Sequence, residues 1–500
     1  MRVDKNMGQN KAKLERTVIT TSRLMDFCSE KELVAQTGHS REEWSLVVLK
    51  ELMDNALDAC EDENISPEID VEVSENSIRV ADNGPGIPAE TVQKILDFSV
   101  RVSSREAYVA PDRGAQGNAL KTILTMPFVL DHGVGRVDIT ARGIRHAISI
   151  KLDSIRQEPI VAYNQEQSFV SERKRPQFVK NGTQVQVFWP DSACSILADA
   201  KTRFLQIADD YTFLNPHLTL HLNWMGDEKR IEAIDRDWMK WRPNEPTSPH
   251  WYEAEHLTRL IGAYIAHDRD RGSDRTVREF IAEFRGLSST AKQKKVLDAT
   301  GLGRVNLSVL ANDHEIDRRK VESLLSAMQD TTKPVKPINL GVIGRDNLAA
   351  KFEKVGCEME SFDYKKVASE SEDGLPFVLE TAFGWCEKLS KRRLVLGVNW
   401  SPGILNPFRQ LGKFGQSLDS ILEQQRVGQH EPVVFLLHCA YPRVEYMDRG
   451  KSSVVIGGKK EDDSPDERHD DEDNDDDAEH ENCSPKNAEG EKEAKTMEVK

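Results

Sequence analysis

The chain has 500 residues, 38% of them hydrophobic and 30% charged, with a formal net charge of −16. That length predicts about three domains. It contains no run of about 18 apolar residues and its N-terminus is polar, which argues against a membrane span and a signal peptide and predicts a soluble, intracellular protein. Its seven cysteines form no C-x-x-C pair, which argues against a disulfide framework and a zinc site.

The negative charge is concentrated at the end of the sequence. Residues 459–500 hold 18 acidic and 7 basic side chains, a net charge of −11, and few apolar ones. Such a composition cannot offset the entropy of ordering, so it predicts a disordered acidic tail. The rest of the chain carries only −5, which leaves the partner open, because a local basic stripe decides nucleic-acid binding.

The first informative element is a helix predicted around residues 50–60. Glu51, Asn55 and Asp58 fall at i, i+4 and i+7, so their polar ends share one face while Leu52 and Ala56 can turn toward a core. A face of this kind is suited to bind a metal and a water. Taken alone, the same pattern is also typical of a solvated acidic surface.

Two alternating runs, 68–73 and 77–81, then predict a β-hairpin. Its second strand ends at Asp82, whose carboxylate could accept a hydrogen bond from an exocyclic amine such as that of adenine. Gly84 and Gly86 let the backbone approach a ligand. These glycines mimic a dinucleotide fingerprint, but that motif has its carboxylate about 20 residues downstream, which disfavours a Rossmann fold.

Glycines recur just before a second predicted helix, the apolar segment 122–130. Because a helix N-terminus behind a glycine-rich loop binds phosphate, Gly114 and Gly117 predict a phosphate site. Residues 99–112 show little hydrophobic periodicity, which suits a mobile lid over a triphosphate. Thr183 opens a later predicted strand, and its hydroxyl could share adenine recognition with Asp82.

Residues 338–344 predict the start of a strand-rich α/β region, in which the apolar runs 377–380 and 433–437 are further strands. The end of a phosphate loop is imitated by residues 450–452, Gly-Lys-Ser. Glu445 stands where that motif needs its first glycine, so the sequence has no Walker loop.

Four motifs in this order resemble the GHKL ATPases, the superfamily of gyrase, the large heat-shock chaperone, MutL and histidine kinases. They are E-x-x-D-N-x-x-D-A from Glu51, D-N-G-P-G-I-P from Asp82, R-G-x-Q-G from Arg113 and G-T-x-V from Gly182. Residues 51–88, and the later Asn-Pro-His at 215–217, are most similar to the B subunit of topoisomerase VI. At Ala119 the B subunits usually have glycine, and this stretch is also similar to MutL.

The resemblance implies a role for each matching residue. Glu51 would be the general base that activates water, Asn55 would hold Mg²⁺, and Asp82 would bind adenine together with Thr183. Lys451 would reach the γ-phosphate from a distant loop. The other positions that the resemblance assigns to the nucleotide are Asp58, Gly84, Gly86, Arg113, Gly114, Gln116 and Gly117.

The fold implied is α+β, in five segments: an N-terminal strap 1–25, a GHKL ATP-binding α/β sandwich 26–235, a helix-two-turn-helix-like domain 247–335, an α/β transducer-like domain 336–458 and the disordered acidic tail 459–500. Within residues 247–335, apolar residues recur at helical spacing, which favours a helical domain there. Its basic residues could either touch DNA phosphates or form a solvated face. They are Arg271, Arg275, Lys292, Lys294 and Lys295.

The function implied by the resemblance is an ATP- and Mg²⁺-dependent homodimeric clamp that acts on double-stranded DNA together with a separate DNA-cleaving A subunit. No membrane partner is expected, and the expected location is the cytoplasm, in association with the nucleoid, or the nucleus. No winged-helix tyrosine nucleophile is recognisable, and Asp-x-Asp pairs outside the tail lie in charged surroundings, so the chain is not expected to cleave DNA alone. The transducer-like segment passes almost directly into the tail, which puts docking of the A subunit in question. The alternative is a nucleotide-switched DNA-binding or assembly protein of the same superfamily without topoisomerase activity.

Overall fold

The structure, a computed structural model, describes residues 24–98, 107–113, 119–131, 133–153, 155, 158–167, 182–312, 315–409, 416–446 and 454. These residues form two mixed β-sheets with helices packed on them, and a helical region lies between the sheets in the sequence. The predicted α+β class is therefore confirmed. The acidic tail and residues 1–23 of the predicted strap lie outside the described residues. No helix among the described residues is long and apolar enough to cross a membrane.

Within the described residues, the first sheet has eight strands in the order β5-β4-β3-β6-β2-β1-β7-β8. Neighbours are antiparallel except β1 and β7, which are parallel. The strands are β1 Glu68–Ser74, β2 Ser77–Asp82, β3 Val134–Ala141, β4 Ile144–Asp153, β5 Glu158–Gln167, β6 Thr183–Phe188, β7 Thr219–Trp224 and β8 Asp227–Ile231.

The predicted hairpin is formed by β1 and β2, with Ile69 opposite Asp82 across the pair. Ile69, Val71 and Val73 point to one face and are fully buried under the helices. Because residues directly opposite each other in an antiparallel pair point to the same face, Asp82 shares that covered face, at the end of a central strand. The register of the hairpin thus decides that this carboxylate lies on the inner side of the sheet.

The helices associated with the first sheet are α1 Leu24–Phe27, α2 Glu30–Thr37, α3 Trp44–Asp62, α4 Ala89–Ile95, α5 Ala119–Asp131, α6 Cys194–Asp199 and α7 Lys201–Leu214. The long helix α3 packs on β2 and contacts both α5 and α7. Its apolar residues Leu49, Leu52, Met53 and Leu57 are buried in the core of this layer. Burying that side fixes the rotation of α3 about its axis and so fixes where its polar side points.

The helical region consists of α8 Ala254–Asp270, α9 Val277–Ala282, α10 Thr290–Thr300 and α11 Arg318–Thr331. Apolar residues at helical spacing, such as Leu257, Leu260 and Ile261, are buried there, as predicted. Two of the starts are capped by side chains: Thr276 forms a capping box with Glu279, and the carboxylate of Asp317 accepts the amide N–H of Lys320.

The second sheet has the strand order β12-β11-β13-β10-β9 among the described residues, and β11 and β13 are parallel. The strands predicted at 377–380 and 433–437 lie within it. Residues 338–344, where the strand-rich region was predicted to start, contain no strand: Pro337–Leu340 is a short 3-10 helix, and Gly341 and Gly344 adopt positive φ angles. The elements are α12 Arg345–Val355, β9 Asp363–Glu370, β10 Pro376–Trp385, β11 Arg393–Val398, β12 Ser401–Pro402, α13 Leu418–Gln424 and β13 Val433–Ala440.

The second sheet packs against α7 of the first layer. Gly397 on β11 lies so close to Leu214 that an added Cβ would stand 2.4 Å from a leucine methyl carbon. Nη2 of Arg393 donates to Asp209 at 2.7 Å and to Asp210 at 2.6 Å, and all three side chains are largely shielded from solvent. Close packing and a shielded ion cluster therefore join the two sheets through α7.

Candidate nucleotide-binding site

The polar side of α3 carries three of the predicted residues. Glu51 and Asn55 are half-buried, and the side chain of Glu51 makes no hydrogen bond or ion pair with the described residues. The side-chain nitrogen of Asn55 is buried and has no hydrogen-bond partner within the described part of the chain. Because a buried amide without a partner is costly, this turn of α3 presents a donor that the described residues leave unsatisfied.

Asp82 lies buried at the end of β2, 5% exposed. Its Oδ1 accepts two backbone hydrogen bonds, from the N–H of Gly84 at 2.8 Å and from the N–H of Thr183 at 3.1 Å. Burial raises the pKa of Asp82 to about 6, although both hydrogen bonds act to lower it. The two bonds hold the carboxylate in one orientation, and Oδ2, which receives neither, is left as an acceptor.

Thr183 joins the end of β2 to the glycine loop that follows it. Its N–H donates to Asp82 and its hydroxyl oxygen accepts the N–H of Ile87 at 3.1 Å. The residue before it is a glycine for a steric reason: a Cβ on Gly182 would stand 1.7 Å from the carbonyl oxygen of Asp82. The close approach of β6 to β2 therefore requires glycine at this position.

The glycine loop is also fixed on its other sides. Gly86 adopts a positive φ of 78°, and its carbonyl oxygen accepts Nε of Arg142 at 2.9 Å. A Cβ on Gly84 would meet Asp82 at 3.0 Å and the thiol sulfur of Cys60 at 3.4 Å. Since Cys60 belongs to α3, this contact brings the Asp82 motif against the helix that carries Glu51 and Asn55.

The side chain of Asn83, the second residue of the Asp-Asn-Gly motif, connects the same two elements. Its Oδ1 accepts hydrogen bonds from the backbone N–H of Glu68 at 2.9 Å and from the thiol of Cys60 at 3.3 Å. Its Nδ2 donates to the backbone carbonyl of Ser66 at 3.0 Å. Its side chain fastens the end of α3 to β1 and β2.

Asp58 and Arg113 pair with each other in a buried ionic cluster. Arg113 donates to Asp58 at 2.6 Å, to both oxygens of Glu61 at 2.6 and 2.7 Å, and to Asn215 at 2.6 Å. Burial raises the pKa of Asp58, whereas at Glu61 the nearby Arg113 and Lys240 outweigh burial and hold the pKa well below its usual range. Their roles toward a nucleotide stay predictions, because these contacts already account for much of the hydrogen bonding of both side chains.

Four predicted residues lie outside the described part of the chain: Gly114, Gln116, Gly117 and Lys451. Most of the predicted lid is also outside it. The helix expected after the phosphate-binding glycines is present, because α5 begins at Ala119. The structure thus brings Glu51, Asn55, Asp82, Gly84, Gly86 and Thr183 into one region.

Sequence reasoning assigned no function to three residues that shape this region. Gly182 and Asn83 stood in the quoted motifs, and the glycine directly before Thr183 was the available indication of a close approach. Arg142 gave no indication, because its contact with the glycine loop crosses 56 residues of sequence.

The comparisons with known proteins agree with this site. Residues 42–192 match the family model of the histidine kinase-, DNA gyrase B- and HSP90-like ATPases, and the predicted GHKL fold is confirmed for this part of the chain. The matched span contains Glu51, Asn55, Asp82 and Thr183.

Curated relatives extend the similarity beyond that domain. The chain is 23% identical over 437 residues to the B subunit of type 2 DNA topoisomerase 6 from Archaeoglobus fulgidus, which covers 82% of this chain and 66% of the relative. It is 21% identical over 430 residues to the protein of the same name from Methanosarcina barkeri, covering 82% and 64%. The chain thus spans just under two thirds of the length of these relatives.

Two solved structures are also similar. One is the MutL ATPase domain of Aquifex aeolicus complexed with ADP, at 13% identity and a TM-score of 0.30, covering 78% of this chain and 90% of that one. The other is the 43K ATPase domain of Thermus thermophilus gyrase B in complex with an aminocoumarin, at 13% identity and a TM-score of 0.33, covering 87% and 85%.

Proposed function

We propose that this chain binds and hydrolyses ATP at the region formed by α3, the end of β2 and the start of β6. The observation that carries the proposal is Asp82, a buried carboxylate with one oxygen held by two backbone N–H groups and the other left to accept. An adenine amino group is a donor of the right kind for such an acceptor. The match of residues 42–192 to an ATPase family supports the same conclusion.

In this proposal the binding of adenine requires the ionised form of Asp82. A carboxylate accepts a hydrogen bond from the exocyclic amine, and Thr183 contributes a hydroxyl beside it. The hydroxyl oxygen already accepts the N–H of Ile87, so its own hydrogen is available to a ring nitrogen or a water. Together the two side chains distinguish adenine from a base that presents an acceptor at the same position.

Hydrolysis is assigned to the turn of α3 that carries Glu51 and Asn55. Glu51 takes the proton of the attacking water as a general base, which requires a carboxylate within hydrogen-bond reach of that water. Its lack of hydrogen bonds to the described residues leaves both oxygens for this role.

The Asn55 side chain suits a Mg²⁺-nucleotide complex. In the described part of the chain no cluster of three or more His, Cys, Asp or Glu could hold a metal. A Mg²⁺ here would therefore be bound by the amide oxygen of Asn55 together with phosphate oxygens and waters, as is usual for nucleotide-bound Mg²⁺. When bound, it would neutralise charge on the phosphates. The unpartnered amide nitrogen of Asn55 would donate to a phosphate or a water.

Three variants test the nucleotide chemistry. Glu51→Ala should bind a fluorescent ATP analogue with near wild-type affinity and lose at least about 100-fold in turnover, the scale of a removed general base. Asp82→Asn should lose binding. Glu63→Gln, an exposed change just after the same helix, is the matched control and should behave as wild type. Full turnover by Glu51→Ala with nucleotide bound would refute the assigned mechanism.

At the level of the whole protein, we propose a nucleotide-gated homodimeric clamp on double-stranded DNA that acts like the B subunit of topoisomerase 6, with a separate DNA-cleaving A subunit. Support comes from relatives of that name aligned along 82% of this chain. In this proposal ATP closes the clamp and hydrolysis reopens it. Lys451 is assigned to the γ-phosphate, and residues 1–25 to a strap exchanged between protomers.

A pull-down with the full chain separates this proposal from its alternative. With a non-hydrolysable ATP analogue, the chain should retain a tyrosine-bearing partner that resembles the A subunit, and the complex should relax supercoiled DNA with ATP but not when it carries Glu51→Ala. ATP-dependent DNA binding with no cleaving partner recovered would instead favour the nucleotide-switched assembly protein.

A further inference from the structure

The turn between β11 and β12 has an unusual backbone. Asn399 and Trp400 both adopt left-handed conformations, with φ angles of 49° and 61°. Asparagine tolerates this region, but a tryptophan there is uncommon and persists only where its surroundings hold it. Trp400 is fully buried, and its backbone N–H donates to Nε2 of His438 at 3.2 Å. The turn is therefore fixed from within the second sheet.

Directly after this turn, Ser401, the first residue of β12, contacts the helix that carries the proposed catalytic residues. Its hydroxyl donates to Oδ2 of Asp54 at 2.9 Å, and the ammonium of Lys50 bonds the same Asp54 oxygen at 2.7 Å and also the Ser401 oxygen. The other oxygen of Asp54 accepts the Tyr211 hydroxyl at 2.7 Å. Asp54, at the centre of this network, is only 4% exposed, and Ser401 and Tyr211 are buried with it.

The same turn reaches the chain just before the predicted phosphate-binding glycines. The Asn399 amide donates to the carbonyl of Asp112 at 3.1 Å. The Trp400 carbonyl accepts the amide of Asn215 at 2.9 Å, and the oxygen of Asn215 accepts a hydrogen bond from Arg113 at 2.6 Å. One short turn of the second sheet thus contacts both α3 and the segment that leads to residues 114–117.

The geometry of the helix gives these contacts a consequence for hydrolysis. Lys50 and Asp54 each precede a proposed site residue, Glu51 and Asn55, by one position, a rotation of about 100° around the axis. Holding the Lys50 and Asp54 side from the second sheet therefore fixes the angle at which Glu51 and Asn55 meet the nucleotide. A small rotation of α3 would move both of them away from the water and the phosphates.

We infer that Ser401 and Asn399 are positioning residues for ATP hydrolysis, through which the second sheet sets the orientation of the catalytic side of α3 and of the segment before the phosphate loop. This inference rests on the proposed ATPase function. In this inference the second sheet acts on hydrolysis through its contact with α3, the helix that carries Glu51 and Asn55. Adenine binding at Asp82 does not depend on that contact.

Ser401→Ala is the main test, measured on the full chain as kcat and KM for ATP together with the affinity for a fluorescent ATP analogue. We expect kcat to fall about 10-fold or more, since small misplacements of catalytic groups have effects of that size. The affinity should change less than about 2-fold, because Asp82 and Thr183 are untouched. Ser401→Thr keeps the hydroxyl and should restore most of kcat.

Two controls remove general stability as an explanation. Ser361→Ala deletes a hydroxyl that accepts the N–H of Trp385 at 2.8 Å, a contact that stays within the second-sheet region. Asn399→Gly keeps a left-handed backbone while removing the amide, and its match is Arg426→Gly, an exposed residue with a φ of 62°. Asn399→Gly should lower kcat. Ser361→Ala and Arg426→Gly should keep the wild-type kcat even if their melting temperatures change as much as those of Ser401→Ala and Asn399→Gly.

The outcomes separate the inference from the function beneath it. If the wild-type chain neither binds nor hydrolyses ATP, the proposed function fails. If the wild type is active and Ser401→Ala and Asn399→Gly keep wild-type kcat, the positioning role is wrong. Equal losses in Ser401→Ala and Ser361→Ala, or a loss in Ser401→Ala that threonine does not restore, would likewise reduce Ser401 to a structural contact.

Discussion

Asp82 joins two opposite demands in one side chain. As an adenine acceptor it must be ionised, yet burial raises its pKa to about 6 from an ordinary value of 3.8. The hydrogen bonds from Gly84 and Thr183 stabilise the anion but do not outweigh the loss of water. A binding site that keeps a carboxylate dry thus costs the unliganded fold some stability at neutral pH.

This conflict predicts the pH dependence of both binding and stability. Because the folded pKa lies above the unfolded one, the folded state holds its proton more tightly, and the contribution of this group to stability falls as pH rises from about 4 to about 6. A shift of about 2 units corresponds to at most about 3 kcal/mol. Asp82→Asn should therefore raise the melting temperature at pH 7.5, and this advantage should disappear near pH 4. Wild-type affinity for ATP should weaken as pH drops through about 6.

Thermal denaturation and nucleotide titration between pH 4 and 8 measure both effects. Asp70→Asn is the control, because Asp70 lies on the same hairpin but, one position from Ile69, faces the other side of the sheet. An Asp82→Asn protein less stable than wild type at pH 7.5 would contradict the argument.

Gly182 is a second single-residue constraint. An added methyl would stand 1.7 Å from the Asp82 carbonyl oxygen, too close for any relaxation short of separating β6 from β2. Gly182→Ala should therefore destabilise the fold by about 3 kcal/mol or more, since overpacking against backbone is poorly relieved. Gly303→Ala, where an added Cβ meets nothing within 4 Å, should cost little. Chemical denaturation compares the two, and equal midpoints would disprove the steric account.

At the scale of elements, local pattern predicted what local pattern can determine. The β1–β2 hairpin, the helix after the glycines and the buried helical periods at Leu257 or Val321 follow from residues close together in sequence. The contacts of Arg142 and Ser401 with the site could not be predicted, because they cross 56 and 347 residues of sequence and leave no periodic trace. The positive charge of a residue was also not enough to predict its role. Arg275, one of the basic residues predicted as possible DNA contacts, donates from Nε to Asp268 at 2.6 Å and stacks on Tyr264.

The exposed lysines of α10 remain candidates for DNA contact. Lys292, Lys294 and Lys295 all face solvent, and within the described residues they form no ion pair. If they bind DNA phosphates, replacing all three by glutamate should weaken DNA binding at least about 10-fold and lower the slope of log affinity against log salt by up to about 3. Fluorescence anisotropy at several salt concentrations measures both.

A matched charge change elsewhere is needed to exclude a general effect of net charge. The control is a triple variant with Lys354→Glu, Lys365→Glu and Lys366→Glu, at three exposed lysines of the second-sheet region. Equal losses of DNA affinity in the two triple variants would show that α10 is not the contact.

At the scale of the whole molecule, the second sheet makes polar contacts with α3 and α7, the helices that pack on the first sheet. The proposed nucleotide also lies on α3. A change at the site is thus expected to reach the second sheet without a flexible connection between them. Where one predicted domain ends and the next begins stays a prediction. The second sheet contacts α7 of the first layer directly, at Gly397 against Leu214 and at Arg393 against Asp209 and Asp210.

The proposed clamp predicts that nucleotide controls the oligomeric state. Sedimentation velocity at micromolar concentration should show mostly monomer without nucleotide and mostly dimer with a non-hydrolysable ATP analogue. Because Glu51→Ala binds ATP but cannot release the closed state by hydrolysis, it should remain dimeric in ATP itself, whereas wild type returns to monomer as ATP is consumed. Asp82→Asn should stay monomeric throughout, and Glu63→Gln should follow wild type. A Glu51→Ala protein that is saturated with ATP and still monomeric would show that nucleotide binding does not close a clamp between two copies of this chain.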